Sequence, residues 1–319
     1  MTGTKNIRIS NRYASFTFDI RRNITIVRGD SGTGKTTLFA MVEDYTRNKE
    51  KSGVNVSAPC PCVALTDLYW QAQLQDIHES VVFIDEDSSF IHKKEFAEAV
   101  RASDNYYILF TREDLHELPY SIEEIYEIKS SGKYHSFKKM YASSFKNGYF
   151  HDGAVKVKID GILTEDAKAG FQFFNAVWAK NGGQCIPAGA NTMIFAKLKD
   201  NLDKKMLVIA DGAAFGAEID RVLKLEKAGC KLCLYLPESF EWVILRSGLI
   251  DDVDQIMENP SDYIASEKWF SWERYFTALL VDRTKDGYLA YSKAKLNKNY
   301  LNEREKASII QVLPDVELD

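Results

Sequence analysis

Long apolar runs, a positive net charge and a cysteine framework are all missing from this sequence. No stretch approaches the roughly 18 consecutive apolar residues of a membrane span, so no membrane helix is expected. The opening MTGTKNIRIS carries no apolar signal-peptide core. Five cysteines in 319 residues, an odd number, do not make a disulfide scaffold, and a reducing cytoplasm is the expected compartment. Lys and Arg total 41 against 46 Asp and Glu, for a net charge of -5. No global basic field therefore draws the chain onto nucleic acid, and any such contact needs a local patch. What is present is a globular composition, 45% hydrophobic and 27% charged, which excludes disordered and fibrous classes. At ~150 residues per domain, the length suits about two domains.

The sharpest motif comes early. Residues 23–28 (NITIVR) read as a buried strand that runs directly into GDSGTGKTT at 29–37, and a helical pattern with Leu38, Phe39, Val42 and Tyr45 follows. The segment fits G-x-x-x-x-G-K-[ST] between strand and helix, the context in which such a loop cradles phosphate. Glycines let the backbone turn its N–H groups inward, and the helix N-terminus adds partial positive charge. Gly29, Asp30, Ser31, Gly32, Thr33, Gly34, Lys35, Thr36 and Thr37 are the expected nucleotide-binding residues. Lys35 would reach the β- and γ-phosphates of ATP, and the Thr36 hydroxyl would hold Mg²⁺.

A phosphate loop of this kind calls for acids on another buried strand. Residues 80–87 (SVVFIDED) supply them: Val81 to Ile84 are continuously apolar, and Asp85 and Glu86 sit at the strand's carboxyl end. Asp85 fits the Mg²⁺ role, and Glu86 is placed to polarise an attacking water. A third strand at 106–110 (YYILF) ends in Thr111 and Arg112. Its polar tip looks like the sensor position of P-loop ATPases with a catalytic glutamate. The resemblance implies that Thr111 holds the water and that Arg112 touches the γ-phosphate. An alternating prelude at 7–20 reads as a hairpin, and 54–57 and 122–128 read as further strands. This opening resembles the start of ABC-type and SMC-like ATPases, without an LSGGQ-like element. The resemblance is therefore to the broader P-loop class, in a compact form.

Between 129 and 150, five lysines interleave with Tyr134, Phe137, Tyr141, Phe145, Tyr149 and Phe150. Such a stretch suits either a solvated hairpin with a small aromatic core or a local DNA or RNA contact. The domain boundary is placed near residue 150.

Beyond it, strands at 155–163, 184–187, 205–210 and 230–236 alternate with helices, the pattern of a parallel sheet. Glu165 ends the first strand, and Asp211-Gly212-Ala213-Ala214-Phe215-Gly216 ends a later one. Order and spacing resemble a TOPRIM domain, the metal-dependent fold of topoisomerases, primases and OLD-family nucleases. That resemblance implies a metal site at Glu165, Asp211 and a nearby acid, Glu238 or Glu241, with Glu238 favoured and Glu165 also catalytic. The second aspartate of the family's D-x-D is Ala213 here. The half is thus either an active phosphoryl-transfer site with few ligands or a degenerate domain kept for binding.

The last segment looks helical: Trp269, Trp272, Phe276, Leu279 and Leu280 fall at helical spacing as core. Tyr288, Tyr291, Lys293, Lys295, Lys298 and Tyr300 suit a solvated helix face or a nucleic-acid contact. Cys60, Cys62, Cys230 and Cys233 have no zinc-ribbon spacing, and His78, His92 and His116 read as surface residues.

The expectation is an α/β chain. A P-loop NTPase parallel sheet over 1–150 is followed by a smaller TOPRIM-like domain over 151–250 and a helical segment over 251–319. Its layout resembles OLD-family proteins, several of which act in phage defence or DNA processing. The expected function is Mg²⁺-dependent ATP hydrolysis that regulates the TOPRIM-like half. A nucleotide-gated module that signals to a partner protein or a second copy is the alternative, and a small kinase the third.

Overall fold

The computed structural model describes residues 1–30, 32–66, 69–141, 157–178, 183–313 and 316–317. Ser31 and the boundary expected near residue 150 lie outside the described residues. The chain forms two compact units, Met1–Tyr141 with Asn259–Phe270, and Ala142–Glu258 with Ser271–Asp319.

In the first unit, strands β1 (Lys5–Ser10), β2 (Ser15–Ile20) and β3 (Ile24–Arg28) lead into helix α1 (Lys35–Asn48). Then come β4 (Asn55–Ser57), β5 (Cys62–Leu65), α2 (Trp70–Gln75), β6 (Val81–Ile84), α3 (Lys94–Arg101) and β7 (Tyr106–Phe110). The hairpin β8 (Ile125–Ser131) and β9 (Tyr134–Lys139) follows. All nine strands form one sheet, in the order β4-β1-β2-β9-β8-β3-β7-β6-β5.

The sheet has two characters. Strands β8, β3, β7, β6 and β5 are mutually parallel, whereas β1 pairs antiparallel with both β2 and β4, and β9 antiparallel with β8. The parallel sheet expected for this half is therefore a mixed one. The alternating prelude folds as a hairpin beside the parallel strands and extends them. Every residue of β3, β6 and β7 is buried, as central parallel strands with apolar, β-branched and aromatic side chains require. Along β1 and β2 the burial alternates, with Ile7, Ile9, Phe16 and Phe18 clustering with Leu38 and Val42 of α1. Cys62 is buried on the edge strand β5.

The second unit holds β10 (Val157–Lys158), β11 (Gly161–Thr164), α4 (Ala169–Trp178), β12 (Gln184–Pro187), α5 (Asn191–Lys199) and β13 (Met206–Ile209). These are followed by α6 (Ile219–Lys227), β14 (Leu232–Tyr235), α7 (Phe240–Arg246), α8 (Asp254–Glu258), α9 (Trp272–Thr284), α10 (Glu303–Ile310) and β15 (Val316–Glu317). Four strands form an all-parallel sheet in the order β12-β11-β13-β14, and β10 pairs parallel with β15. Strand–helix alternation produces this arrangement because each parallel strand needs a crossover. Phe240 of α7 packs on Phe173 and Phe174 of α4, with ring centroids 5.5 and 5.6 Å apart. Trp272, Phe276 and Leu280 bury one side of α9 at the helical spacing read from the sequence, whereas Leu279 is half-buried and Trp269, also half-buried, precedes the helix. Residues 285–297 form no regular element, so the basic-aromatic stretch is not a helix face; Tyr291 and Tyr300 are buried.

One backbone approach fixes the floor of the second sheet's carboxyl edge. A Cβ added at Gly212 would lie 2.3 Å from the carbonyl oxygen of Leu236, a backbone atom that cannot swing aside. Gly212→Ala is expected to destabilise the second unit by about 2 kcal/mol, typical of overpacking. A denaturation midpoint unchanged from wild type, read by tryptophan fluorescence, would contradict the requirement.

Candidate functional site

Two clusters of charged side chains occupy carboxyl edges of parallel strands, one in each unit. In the first unit, β3 pairs with β7 and β7 with β6, all parallel. Val27 lies opposite Phe110, and Leu109 opposite Ile84, so the loop after β3, Thr111-Arg112 and Asp85-Glu86 emerge side by side. In the loop, Gly29 and Gly34 take φ of 140° and 104°, and Gly32 also has positive φ. A side chain at Gly34 would be strained there and would face the Phe16 ring at 3.5 Å. Gly34 caps α1 with no side-chain hydrogen bond, which leaves the first-turn amides of a 14-residue helix for an incoming anion. Thr33 donates from Oγ1 to the Asp30 carbonyl at 3.0 Å, and Thr36 and Thr37 are exposed.

Lys35 is 4% exposed. Its Nζ donates to the carbonyls of Gly29 and Asp30, the latter at 3.2 Å, and lies 3.6 Å from Glu86 Oε2. Glu86 in turn receives Arg112, whose Nη2 lies 2.9 Å from Oε1 and whose Nε lies 3.3 Å from Oε2. Thr111 is buried, and its Oγ1 donates to the Glu113 carbonyl at 3.1 Å and accepts from the Glu113 amide at 3.0 Å.

Asp85 differs from its neighbours. Its Oδ1 is buried and has no hydrogen-bond partner. Burial raises its pKa, the Glu86 amide pulls it down, and the charges of Asp87, Glu86 and Glu43 raise it further. An orphaned buried carboxylate oxygen beside the glycine-rich loop is a donor that could hold a magnesium ion. With the Thr36 hydroxyl it would supply two protein ligands, and phosphate and water oxygens the others.

In the second unit, Glu165 follows β11 and Asp211 follows β13, on the two central strands where the order reverses direction. Open parallel sheets bind ligands in the crevice at such a switch point. The Asp211 amide donates to Glu165 Oε2 at 3.0 Å. Four more residues join them. Lys293 Nζ lies 3.9 Å from Asp211 Oδ2 and 4.0 Å from Glu241 Oε1, and it donates to Glu273 Oε1. Tyr291 donates from its hydroxyl to Glu241 Oε1 at 2.9 Å. A cavity of ≈ 40 Å³ lies against Glu165, Asp211, Glu241, Tyr291 and Lys293.

This arrangement corrects the metal site expected at Glu165, Asp211 and Glu238. Glu238 does not line the cavity, whereas Glu241 on α7, the alternative read from the sequence, does, together with Asp166. The position of the missing second aspartate, Ala213, is buried. One Glu165 oxygen is engaged by a backbone amide, and an ammonium stands among the remaining acids. Among the described residues, no group of three or more His, Cys, Asp and Glu side chains is arranged to hold a metal ion. A divalent cation therefore does not fit the second unit as it stands.

The electrostatics agree with the geometry. Burial pushes Glu165 up to about 7; the Asp211 amide opposes this and the charges of Glu273 and Asp166 add to it. Burial, followed by the charges of Glu165 and Glu273, also raises Asp211 well above the usual carboxylate range. Burial alone would lower Lys293, but Asp211, Glu241 and Glu273 outweigh it and hold the ammonium charged. Sequence reasoning missed Lys293, Glu273 and Tyr291 as members of this cluster, because nothing local marks residues that converge only through the fold.

No protein-family model, curated protein or solved structure matches this chain. The chemistry of both clusters rests on their own residues.

A carboxyl with a raised folded pKa stabilises the fold below its unfolded pKa and loses that contribution as pH rises through the folded value. The Glu165 contribution is therefore expected to decline between about pH 4.5 and about pH 7. The pH dependence of unfolding free energy should flatten over that window in Glu165→Gln. Identical slopes in wild type and variant, from denaturant titrations across the range, would refute the shift.

Proposed function

We propose that the first unit is a P-loop ATPase of the class with a catalytic glutamate. It binds Mg²⁺–ATP at residues 29–37, and its nucleotide cycle regulates a degenerate, TOPRIM-like second unit. The observation that carries this reading is the convergence of three adjacent parallel strand ends. The glycine-rich loop with Lys35, the Asp85-Glu86 pair and Thr111-Arg112 meet there, and the orphaned Asp85 oxygen lies among them. A strand carrying a polar tip between the loop strand and the acidic strand is the arrangement that this class uses.

In this reading the loop amides and the α1 N-terminus bind the phosphates, and Lys35 exchanges its bonds to the Gly29 and Asp30 carbonyls for the β- and γ-phosphate oxygens. Thr36 and Asp85 would hold magnesium, which when bound would supply positive charge beside those oxygens. Glu86 accepts the proton of the attacking water, and Arg112 moves from Glu86 toward the γ-phosphate. Thr111 orients the water through its hydroxyl. The chain contains no helix long and apolar enough to cross a membrane among the described residues.

A second reading, a nucleotide-gated module with little turnover, is favoured by one observation. Both Glu86 oxygens are already engaged by Arg112, which opposes service as a free base.

Lys35→Ala is expected to abolish ATP binding and hydrolysis. Glu86→Gln should retain binding and lose roughly 10²- to 10⁴-fold in turnover, as removal of a general base does. Full hydrolysis in Lys35→Ala would sink both readings, whereas negligible wild-type turnover with intact ATP binding would select the gated module. Equilibrium binding of a fluorescent ATP analogue and phosphate release, measured on one preparation, distinguish these outcomes.

A further inference from the structure

We propose that the ammonium of Lys293 is the resident cation of the second unit's acidic cluster, occupying the place of a divalent ion, so that this unit keeps its site geometry without metal. The inference is independent of the nucleotide reading of the first unit. Three carboxylates from three separate elements face one Nζ: Asp211 beyond β13 at 3.9 Å, Glu241 of α7 at 4.0 Å, and Glu273 of α9 in direct hydrogen bond. Of these, Glu241 is 1% exposed. A carboxylate so buried needs a compensating charge or donor, since an unpaired buried charge costs several kcal/mol or more. Lys293 and the Tyr291 hydroxyl supply both.

The lysine is fixed in place. Its own carbonyl accepts from the Ala169 amide at 3.0 Å, which pins the backbone at the start of α4 and limits where the side chain reaches. The adjoining cavity, ≈ 40 Å³, has room for a few waters at most. Magnesium demands near-octahedral oxygens at about 2.1 Å, and the Lys293 ammonium already stands among the carboxylates that would supply them. Asp211, Glu241 and Glu273 face the Lys293 ammonium, and the Tyr291 hydroxyl donates to Glu241; Glu165 reaches the group through the Asp211 amide.

The consequence is testable by exchange of one cation for another. Lys293→Met keeps side-chain length and deletes the charge, leaving the three carboxylates without their cation. In the absence of nucleotide, Lys293→Met is expected to take up one Mn²⁺ per chain, roughly tenfold or more tighter than wild type, given the repulsion removed at about 4 Å. Mn²⁺ electron paramagnetic resonance reads this uptake. It should vanish in Lys293→Met/Asp211→Asn, a requirement that separates it from metal held at Thr36 and Asp85. Lys293→Arg, which retains a cation, should behave as wild type. The thermal midpoint of Lys293→Met should rise with Mn²⁺ by more than those of wild type and of Lys293→Met/Asp211→Asn. Folded Lys293→Met without Asp211-dependent uptake would overturn the proposal. If Lys293→Met does not fold, wild type and Asp211→Asn decide: equal Mn²⁺ uptake supports the resident ammonium, and Asp211-dependent uptake by wild type overturns it.

Discussion

Parallel strand pairing sends every carboxyl end of a sheet to the same edge, and both clusters of this protein depend on that constraint. In the first unit it aligns Gly29, Thr111 and Asp85 as the residues just past three neighbouring buried strands. In the second it sets Glu165 and Asp211 side by side past β11 and β13. Strand interiors that are buried throughout supply the stability, and the residues one or two places beyond them are free to be polar. Chemistry is thereby confined to short, predictable positions relative to the apolar runs.

That confinement explains what the sequence revealed. Strands β3, β6 and β7 and the residues that follow them were legible because each is a short apolar or β-branched run, broken in β3 only by Thr25 and Arg28, and is followed by glycine, acid or threonine. The alternating burial of β1 and β2 was legible for the same local reason. Two features of the first unit were not. Strand β5 is four residues long and begins next to Pro61, which leaves too short a pattern to separate from a loop. The antiparallel extension of the sheet also escaped, because pairing partners are set by tertiary packing and not by the pattern of any one strand. In the second unit, Glu165 and Asp211 were visible at strand ends. Lys293 was read with its lysine and tyrosine neighbours as part of a solvated face, although its nitrogen meets acids more than fifty residues away in sequence, as at Glu241.

The two clusters treat charge in opposite ways. Around Lys35, the ammonium is satisfied by carbonyl oxygens and a carboxylate that phosphate oxygens can replace, and one buried carboxylate oxygen is left open. Around Lys293, acids and ammonium complete one another, and an amide, a hydroxyl and the packed α7 and α9 close the set. The first arrangement is suited to exchange of partners and the second to permanence. A site of the second kind holds its shape at the cost of variable occupancy.

The segment Asn259–Phe270 belongs with residues 1–141 although the chain has built much of the other unit before reaching it. The Gly3 amide donates to the Ser261 carbonyl at 2.7 Å, Asn23 donates to the Phe270 carbonyl at 2.8 Å, and Arg101 lies over the Phe270 ring at 5.0 Å. On the ribosome, where chains emerge from the N-terminus, the first unit therefore cannot be finished until residue 270 has left the tunnel. Its early strands must wait, partly formed, through the synthesis of more than a hundred further residues. The two units are thus interlocked in folding order, and neither can be released from the chain as an intact fragment by a single cut.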